Sequence, residues 1–284
     1  MYYFQLMGGM GNQMFQYAVG RSLSIARSIP VKFFFFETYP SVKRSMLLDK
    51  FSLDMEMADE GERSRIETLR SDLTKNFAAG SPRWVMMEKS DFVYDAQLFH
   101  APDDAMMIGY WQNELYFRRY AGEIRRFFSL KAPFSQRFQA ISDRIGTKRC
   151  PVSIHIRRGD YATHPAILAI HGLCPIQYYT KALQLLQDRW SDIHLFIFSD
   201  DIDWVKIHFD VRELPHEMIE PSHTNPQEDL VLMSRCQHHI IANSSFSWWG
   251  AWLNPSPNKM VIAPRQWMTA HYDPPVICQD WTGI

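Results

Sequence analysis

Two rhythms of apolar spacing alternate along this chain. The first apolar run, YYFQL at 2–6, is strand-length and leads into a glycine turn, MGGMG. The spacing then turns helical across NQMFQYAVGRSLSIARSI, where Met14, Tyr17, Ala18 and Arg21 share a face with Phe15 beside it. Pro30 ends that helix, and VKFFFFE at 31–37 reads as the next strand. Strand, helix and strand in that order are the building block of a parallel sheet. Residues 40–80 are charged and irregular, with helical pieces such as ADEGERSRIETLRSDL. MMIGYW at 106–111 is a short apolar strand, and ELYFRRYAGEIRRFF and SQRFQAISDRI have the spacing of amphipathic helices.

A second series follows. VSIHIR, IHLFIFSD, HHIIA and KMVIAP read as strands, with a weaker one near HEMIE. Between them lie helical patterns in IQYYTKALQLLQDRW, DWVKIHF, PQEDLVLMSRC and SFSWWGAWL. The rhythm breaks across 112–149. The expected fold class is therefore α/β, with domains at 1–145 and 146–284. Two such lobes usually hold a ligand in the cleft between them, beyond the carboxyl ends of their strands.

The chemistry-bearing residues fall just after strands. In VSIHIRR, alternation sends Val152, Ile154 and Ile156 to one side and Ser153, His155 and Arg157 to the other. Arg158 lies at the strand end, before Gly159 and Asp160. Two guanidiniums at a strand tip suit a pyrophosphate, since each offers a permanently charged planar fork. They equally suit a structural ion-pair cluster, and Asp160 is the expected internal partner for one of them. An adhesion role for Arg-Gly-Asp does not fit the end of a core strand. MGGMGNQ brings Gly9, Gly11, Asn12 and Gln13 to a turn before a helix, either as a phosphate-facing N-terminus with Asn12 as N-cap or as a plain turn. Its spacing is neither G-x-G-x-x-G nor a Walker motif.

Ser199, Asp200 and Asp201 close another strand, where an acidic pair could cap a helix, hold a ribose or guanine, bind a metal or act as a base. Asn243, Ser244 and Ser245 open a helix and form a second candidate phosphate cradle. Trp248, Trp249 and Trp252 crowd that helix and read as core more readily than as a sugar platform. His238 and His239 point to opposite faces of a strand and make a poor metal pair.

Composition narrows the picture. The 284 residues carry Lys+Arg 30 against Asp+Glu 31, which excludes a general nucleic-acid binder. Nine Trp, 12 Tyr and 19 Phe favour a ligand with a ring to stack on. The four cysteines show no C-x-x-C spacing, so reduced thiols in a cytoplasmic protein are expected rather than disulfides or a zinc site. The N-terminus has no signal-peptide pattern, and no apolar run reaches the length of a bilayer span.

Taken in order, GGMGNQMFQYA, HIRRGDY, HGLC, IFSDDIDW, EDLVLMSRCQHHIIANSSFSWWGAWLN and VIAPRQW resemble the bacterial α-1,2-fucosyltransferases, from residue 7 to about 267. The segment from about 38 to 105 carries no matching motif. The resemblance implies a GT-B fold of two facing Rossmann-like domains, the N-terminal one for the acceptor and the C-terminal one for GDP-fucose. It implies inverting transfer of L-fucose from GDP-β-L-fucose to the 2-hydroxyl of a galactoside, with no metal or other cofactor. Arg157 would contact the donor phosphates with Arg158 supporting, and Ser244 and Ser245 match a small-residue phosphate contact. Asp160 is the first candidate for proton acceptor and His155 the second. Glu228 or Asp229 would contact guanine or ribose. The setting that the resemblance implies, surface polysaccharide synthesis on a lipid carrier, gives FRRYAGEIRRFF two readings, contact with the inner membrane face or a solvated helix face. Two other functions remain open: a non-catalytic nucleotide-sugar or glycan-binding module, and a fucosyltransferase of different linkage.

Overall fold

Strand β1 (Tyr2–Leu6) is buried along nearly its whole length, as its apolar run requires. The computed structural model describes residues 1–35, 45–75, 84–211, 213–272 and 274–284. The chain divides into two compact units, Met1–Ser129 and Leu130–Ile284.

In the N-terminal unit β1 runs into α1 (Met10–Arg27) and then β2 (Val31–Phe35). The last two residues of the expected VKFFFFE strand, 36–37, lie outside the described residues. There follow β3 (Glu56–Met57), α2 (Glu60–Lys75), β4 (Val85–Met87), β5 (Met106–Ile108) and α3 (Ala121–Phe127). All pairings are parallel, in the order β3-β2-β1-β5-β4. Strand MMIGYW is shorter than its pattern, because the chain turns at Gly109. The expected helix at 114–128 is two short 3-10 turns before α3. Gly20 in α1 lets the helix lie against the sheet, where a Cβ would come 2.9 Å from the Phe33 ring.

The C-terminal unit opens on α4 (Gln136–Gly146), which the sequence expectation of a boundary at 145/146 assigned to the other domain. The helix is tied to this unit at its N-terminus, where Glu228 accepts from the Ser135 N–H at 2.9 Å and Asp229 pairs with Arg137 at 2.6 Å. Next come β6 (Cys150–Ile156), α5 (Gly159–Thr163), α6 (Pro165–His171), α7 (Ile176–Gln187) and β7 (Ile193–Ser199). The chain continues through α8 (Ile202–His208), β8 (His216–Ile219), α9 (Pro226–Ser234), β9 (His238–Ile240) and α10 (Ser245–Leu253). It ends with β10 (Val261–Ala263), a small antiparallel hairpin of β11 (Gln266–Met268) and β12 (His271–Tyr272), and β13 (Thr282–Gly283).

The second sheet is wholly parallel, in the order β13-β10-β9-β6-β7-β8. Winding proceeds outward from β6 through β7 and β8, then restarts on its other side at β9. The order therefore reverses between β6 and β9, where such sheets bind ligands. One face of β6 puts Val152, Ile154 and Ile156 into a core with Leu183, Leu186, Leu195 and Ile197. Trp248 and Trp249 are fully buried and Trp252 nearly so, so the tryptophan cluster is core. Trp248 keeps its indole N–H satisfied on the Val276 carbonyl at 2.7 Å. The architecture, two α/β units each on a parallel sheet, is that of the expected GT-B class.

Candidate active site

The C-terminal tip of β6 delivers Arg157 and Arg158 to the point where strand order reverses. Arg157 is bracketed. One guanidinium nitrogen pairs with Asp160 at the start of α5, and another lies 2.6 Å from Asp200 Oδ2 past the end of β7. Its ring neighbour is Tyr161, 5.0 Å from the guanidinium carbon. Burial alone would favour loss of its charge, but Asp200 and Asp160 outweigh that and hold the cation more firmly than usual. Asp200 also accepts from the Arg158 N–H at 2.8 Å. Gly159 has φ +20 and lies against that carboxylate; a Cβ there would come 3.0 Å from Asp200 Cγ and overlap Oδ2.

Arg158 is placed otherwise. Its Nε donates to Asp201 at 3.0 Å, and its guanidinium stacks 3.7 Å above the Trp204 ring. Asp201 in turn caps α8 by accepting from the Trp204 N–H at 3.3 Å. Asp201 and Arg158 thus brace the strand tips. The capping reading of the acidic pair holds for Asp201, while Asp200 organises Arg157.

His155 shares the Arg157 face of β6 and is 4% exposed. Its ring lies 5.5 Å from Phe246 in the first turn of α10. Burial, with the Arg157 cation adding repulsion, pushes its pKa down to about 3. It is therefore neutral and a weak base at pH 7, so the geometry gives it a hydrogen-bonding role rather than the proton-accepting one. Among the described residues three buried atoms around this strand tip make no hydrogen bond: His155 Nδ1, Arg157 Nε and Asp200 Oδ2, the last still at ion-pair distance from Arg157.

Ser244 caps α10, its hydroxyl accepting from the Phe246 N–H at 3.3 Å, and Ser245 is the first residue of that helix. Asn243 is fully used as a brace. Its amide donates to the carbonyls of His171 (2.8 Å) and Trp267 (3.1 Å), and its oxygen accepts from Cys174. His171 stacks on Tyr161 at 4.5 Å, which closes a chain of contacts from Arg157 to the start of α10. Glu228 and Asp229, expected near the nucleotide base, instead fasten α4: Glu228 takes both the N–H and the hydroxyl of Ser135. Ser153, His239 and Asn254 form a buried line, 2.7 Å and 3.0 Å between successive partners. The Asn254 amide donates, so His239 Nε2 accepts and Nδ1 carries the proton toward Ser153.

In the N-terminal unit the N-cap of α1 is Gly9, not Asn12, which lies within the first turn. Gly8 has φ +74 and supplies the turn. Gln13 is a structural pin: it donates to Gly8 and Ser45 carbonyls and accepts from the Leu47 N–H. Asn12 accepts from Gln112 at 2.7 Å. Gln16, which the sequence reading missed, accepts from the Met7 N–H at 2.9 Å and donates to the Gly109 carbonyl at 3.0 Å. A second glutamine at i+3 from Gln13 on an otherwise apolar helix was the signal in the sequence, and the structure buries both.

Among the described residues no helix is long and apolar enough to cross a membrane. The sequence profile described as glycosyl transferase family 11 matches residues 1–284. A curated Escherichia coli relative, an alpha-1,2-colitosyltransferase, is 34% identical over 93% of this chain and 91% of its own length. A galactoside alpha-(1,2)-fucosyltransferase 2 from Hylobates lar is 22% identical over 98% of this chain and 77% of its own length. The solved fucosyltransferase NodZ from Bradyrhizobium superposes with a TM-score of 0.51 at 15% identity, covering 89% of this chain and 92% of that one, which is a likeness of fold. With its profile matched end to end and its arginine tip at the reversal of a parallel sheet, the chain belongs to glycosyl transferase family 11.

Proposed function

We propose that this chain is an inverting transferase that moves L-fucose from GDP-β-L-fucose to the 2-hydroxyl of a galactoside acceptor. The C-terminal unit binds the donor and the N-terminal unit the acceptor. The observation that carries the reading is the pair of unpartnered buried atoms, Arg157 Nε and His155 Nδ1, on one face of β6 where the sheet order reverses. Buried polar groups left unmatched in a native site mark where a ligand completes them. Arg157 Nε–H suits a phosphate oxygen, and the capped start of α10 adds a positive helix end.

The chemistry follows from charge. As the bond from the sugar C1 to the β-phosphate oxygen lengthens, negative charge grows on the phosphate. Arg157 stabilises it, and removing one such donor typically raises a barrier by about 2.7–4 kcal/mol. The acceptor hydroxyl attacks the opposite face of C1, which inverts that centre. Asp160 and Asp200 set the angle of the guanidinium. In this reading the Arg157 N–H and the start of α10 stabilise the negative charge of the leaving diphosphate in place of a divalent cation, so transfer is expected to persist in EDTA. The relatives' names support the α-1,2 linkage, and that of the Escherichia coli "O-antigen biosynthesis glycosyltransferase WbnK", 37% identical over 46% of this chain and 44% of its own length, supports a surface-polysaccharide setting.

A second reading keeps the mechanism and changes the sugar to colitose, favoured by the relative at 34% identity. Purified protein is given GDP-fucose or GDP-colitose with lactose, and product linkage is analysed. The expected outcome is an α-1,2-linked product with GDP-fucose, abolished in Arg157→Ala with an unchanged circular dichroism spectrum. Full activity in Arg157→Ala, or GDP binding without any transfer, overturns the reading.

A further inference from the structure

The carboxyl ends of β1, β5 and β4 lie side by side in the N-terminal sheet, and the order of that sheet also reverses at β1 and β5. The turns that leave those strands are pinned to one another. Gln16 joins Met7 to Gly109, and Gln112 reaches Asn12 at 2.7 Å. A Cβ on Gly8 would lie 2.7 Å from Asn12 Nδ2 and 3.4 Å from Tyr110 Cε1, so the turn after β1 packs on the turn after β5. Gly8, Asn12, Glu88 and Tyr110 are half-buried at this edge, while Trp111 and Gln112 are buried.

Trp111 is the odd member of this group. It is bulky, yet held at φ +54, a strained conformation of the kind that gathers at functional sites. It is 2% exposed, and its indole Nε1 has no hydrogen-bond partner. Trp248 shows the ordinary solution for a buried indole, donation to a carbonyl. Glu88, just past β4, holds the strained turn. Its Oε2 accepts from the Tyr110 N–H at 2.6 Å, and its carboxylate also accepts from the Trp111 main-chain N–H. Gly109 lets the two side chains meet: a Cβ there would come 2.9 Å from Glu88 Oε2 and 3.0 Å from Trp111 Cε2, the carbon bonded to Nε1. The carboxylate and the pyrrole side of the indole therefore crowd one point. Glu88 is itself short of donors. Burial raises its pKa above the ordinary glutamate value against the pull of the two N–H groups, with Asp91 adding to the rise. Other carboxylates of this unit pair with cations, Asp54 with Arg21 and Glu62 with Lys32, but among the described residues Glu88 forms no ion pair.

A buried N–H without an acceptor, beside a carboxylate short of donors, defines a ligand by its chemistry. A phosphate would serve the N–H but be repelled by the carboxylate. An ammonium would serve the carboxylate and leave the N–H bare. A hydroxyl gives one proton and accepts another, so one hydroxyl, or two on neighbouring ring carbons, answers both groups. We propose that the carboxyl edge of the N-terminal sheet is a sugar-binding subsite, in which the Trp111 indole N–H and the Glu88 carboxylate together read the hydroxyls of one pyranose ring. The subsite lies wholly within the N-terminal unit, and its role is selection rather than chemistry. That the pyranose is the galactose of the acceptor rests on the transferase reading above. Such a site discriminates strongly, because a ligand lacking the matching hydroxyl leaves buried polar groups unpaired.

The test is equilibrium binding of lactose, and of lactose analogues lacking one galactose hydroxyl at a time, to the full chain with GDP present, followed by ligand-observed NMR. In the wild type, removing one particular hydroxyl is expected to weaken binding about tenfold. Trp111→Phe keeps the ring and loses the N–H. It should bind lactose about tenfold more weakly and no longer distinguish lactose from that one analogue, with GDP affinity and thermal unfolding unchanged. A tryptophan that merely fills space would leave the choice among hydroxyls intact, so Trp111→Phe with wild-type selectivity overturns the proposal. If that variant fails to fold, Glu88→Gln, which keeps an oxygen for the two main-chain N–H groups, is read in the same way. A wild type that binds no galactoside, or is indifferent to every hydroxyl, overturns the proposal without any variant. A chain that reads galactose through Trp111 yet transfers from neither GDP-fucose nor GDP-colitose sinks the transferase reading and leaves the subsite standing. A working transferase whose Trp111→Phe variant keeps its selectivity sinks the subsite alone.

Discussion

At Gly159 the main chain passes so close to Asp200 that a side chain has no room. Gly159→Ala should force the carboxylate off Arg157 and cost about 1–3 kcal/mol, the usual penalty of inserting a methyl into a packed site. Urea unfolding measures it. Asp200→Asn keeps an acceptor for the Arg158 N–H but loses the charge that holds Arg157. GDP binding by calorimetry is expected to weaken about tenfold, equivalent to ~1.4 kcal/mol, with the fold intact. At this scale the sequence exposed which atoms matter but not how they pair. Strand alternation put His155 and Arg157 on one face, as the structure has them. The expectation that a ligand alone would answer one arginine did not foresee that Asp200 and Asp201 reach the same two cations. Those partners lie a whole βα unit further along the chain and become neighbours only once β6 and β7 pair. Glu228 shows the same limit: a buried acid at a helix start looks like a ligand group until its partner, Ser135, comes from a distant helix.

Helix α10 begins on Ser244, whose hydroxyl cap was legible because serine before an apolar run is an ordinary start signal. Ser244→Ala should cost about 0.5–2 kcal/mol of stability, read as a lower urea midpoint. Transfer should fall further than stability, since the same helix end faces the Arg157 tip through Phe246 and His155. Elements α5 and α6 went unread. None of their residues is buried, so no core-facing stripe marks them, and Ala166 to Ile170 are apolar without period. Pro165 at the first helical position and Gly172 at the C-cap were the usable signals. Strands β3 and β13 are two residues each, below the length at which alternation can be recognised.

For the molecule as a whole, βα alternation announced parallel sheets, but nothing in it tells on which side of β6 the chain resumes. That choice depends on which strands bury each other, and it is what locates the site. The same burial sets an acid limit. Burial holds His155 at about 3, His238 at about 4 and His239 well below its usual range. Each reverts toward 6.5 on unfolding. Above that value neither state binds the proton and stability is flat in these groups. Below it the unfolded chain takes up protons that the folded chain refuses, so stability falls, by roughly 1.4 kcal/mol per pH unit per histidine. The slope contributed by His238 ends near pH 4. Urea midpoints should hold from pH 7 to about 6.5 and drop from there to pH 5, and His155→Gln should remove about one third of the slope these three histidines supply.

Two guanidiniums at the β6 tip stand against three carboxylates, so 2 − 3 leaves the network with one excess negative charge. On the proposed reading, an incoming diphosphate is therefore repelled at a distance and held only at contact, by the Arg157 Nε–H that neither carboxylate occupies. Stopped-flow association with GDP should accelerate as ionic strength rises from low to physiological, because salt screens the repulsion. Anions drawn by charge alone gain nothing on approach; selection happens at contact, where only a ligand shaped to reach the Arg157 Nε–H stays.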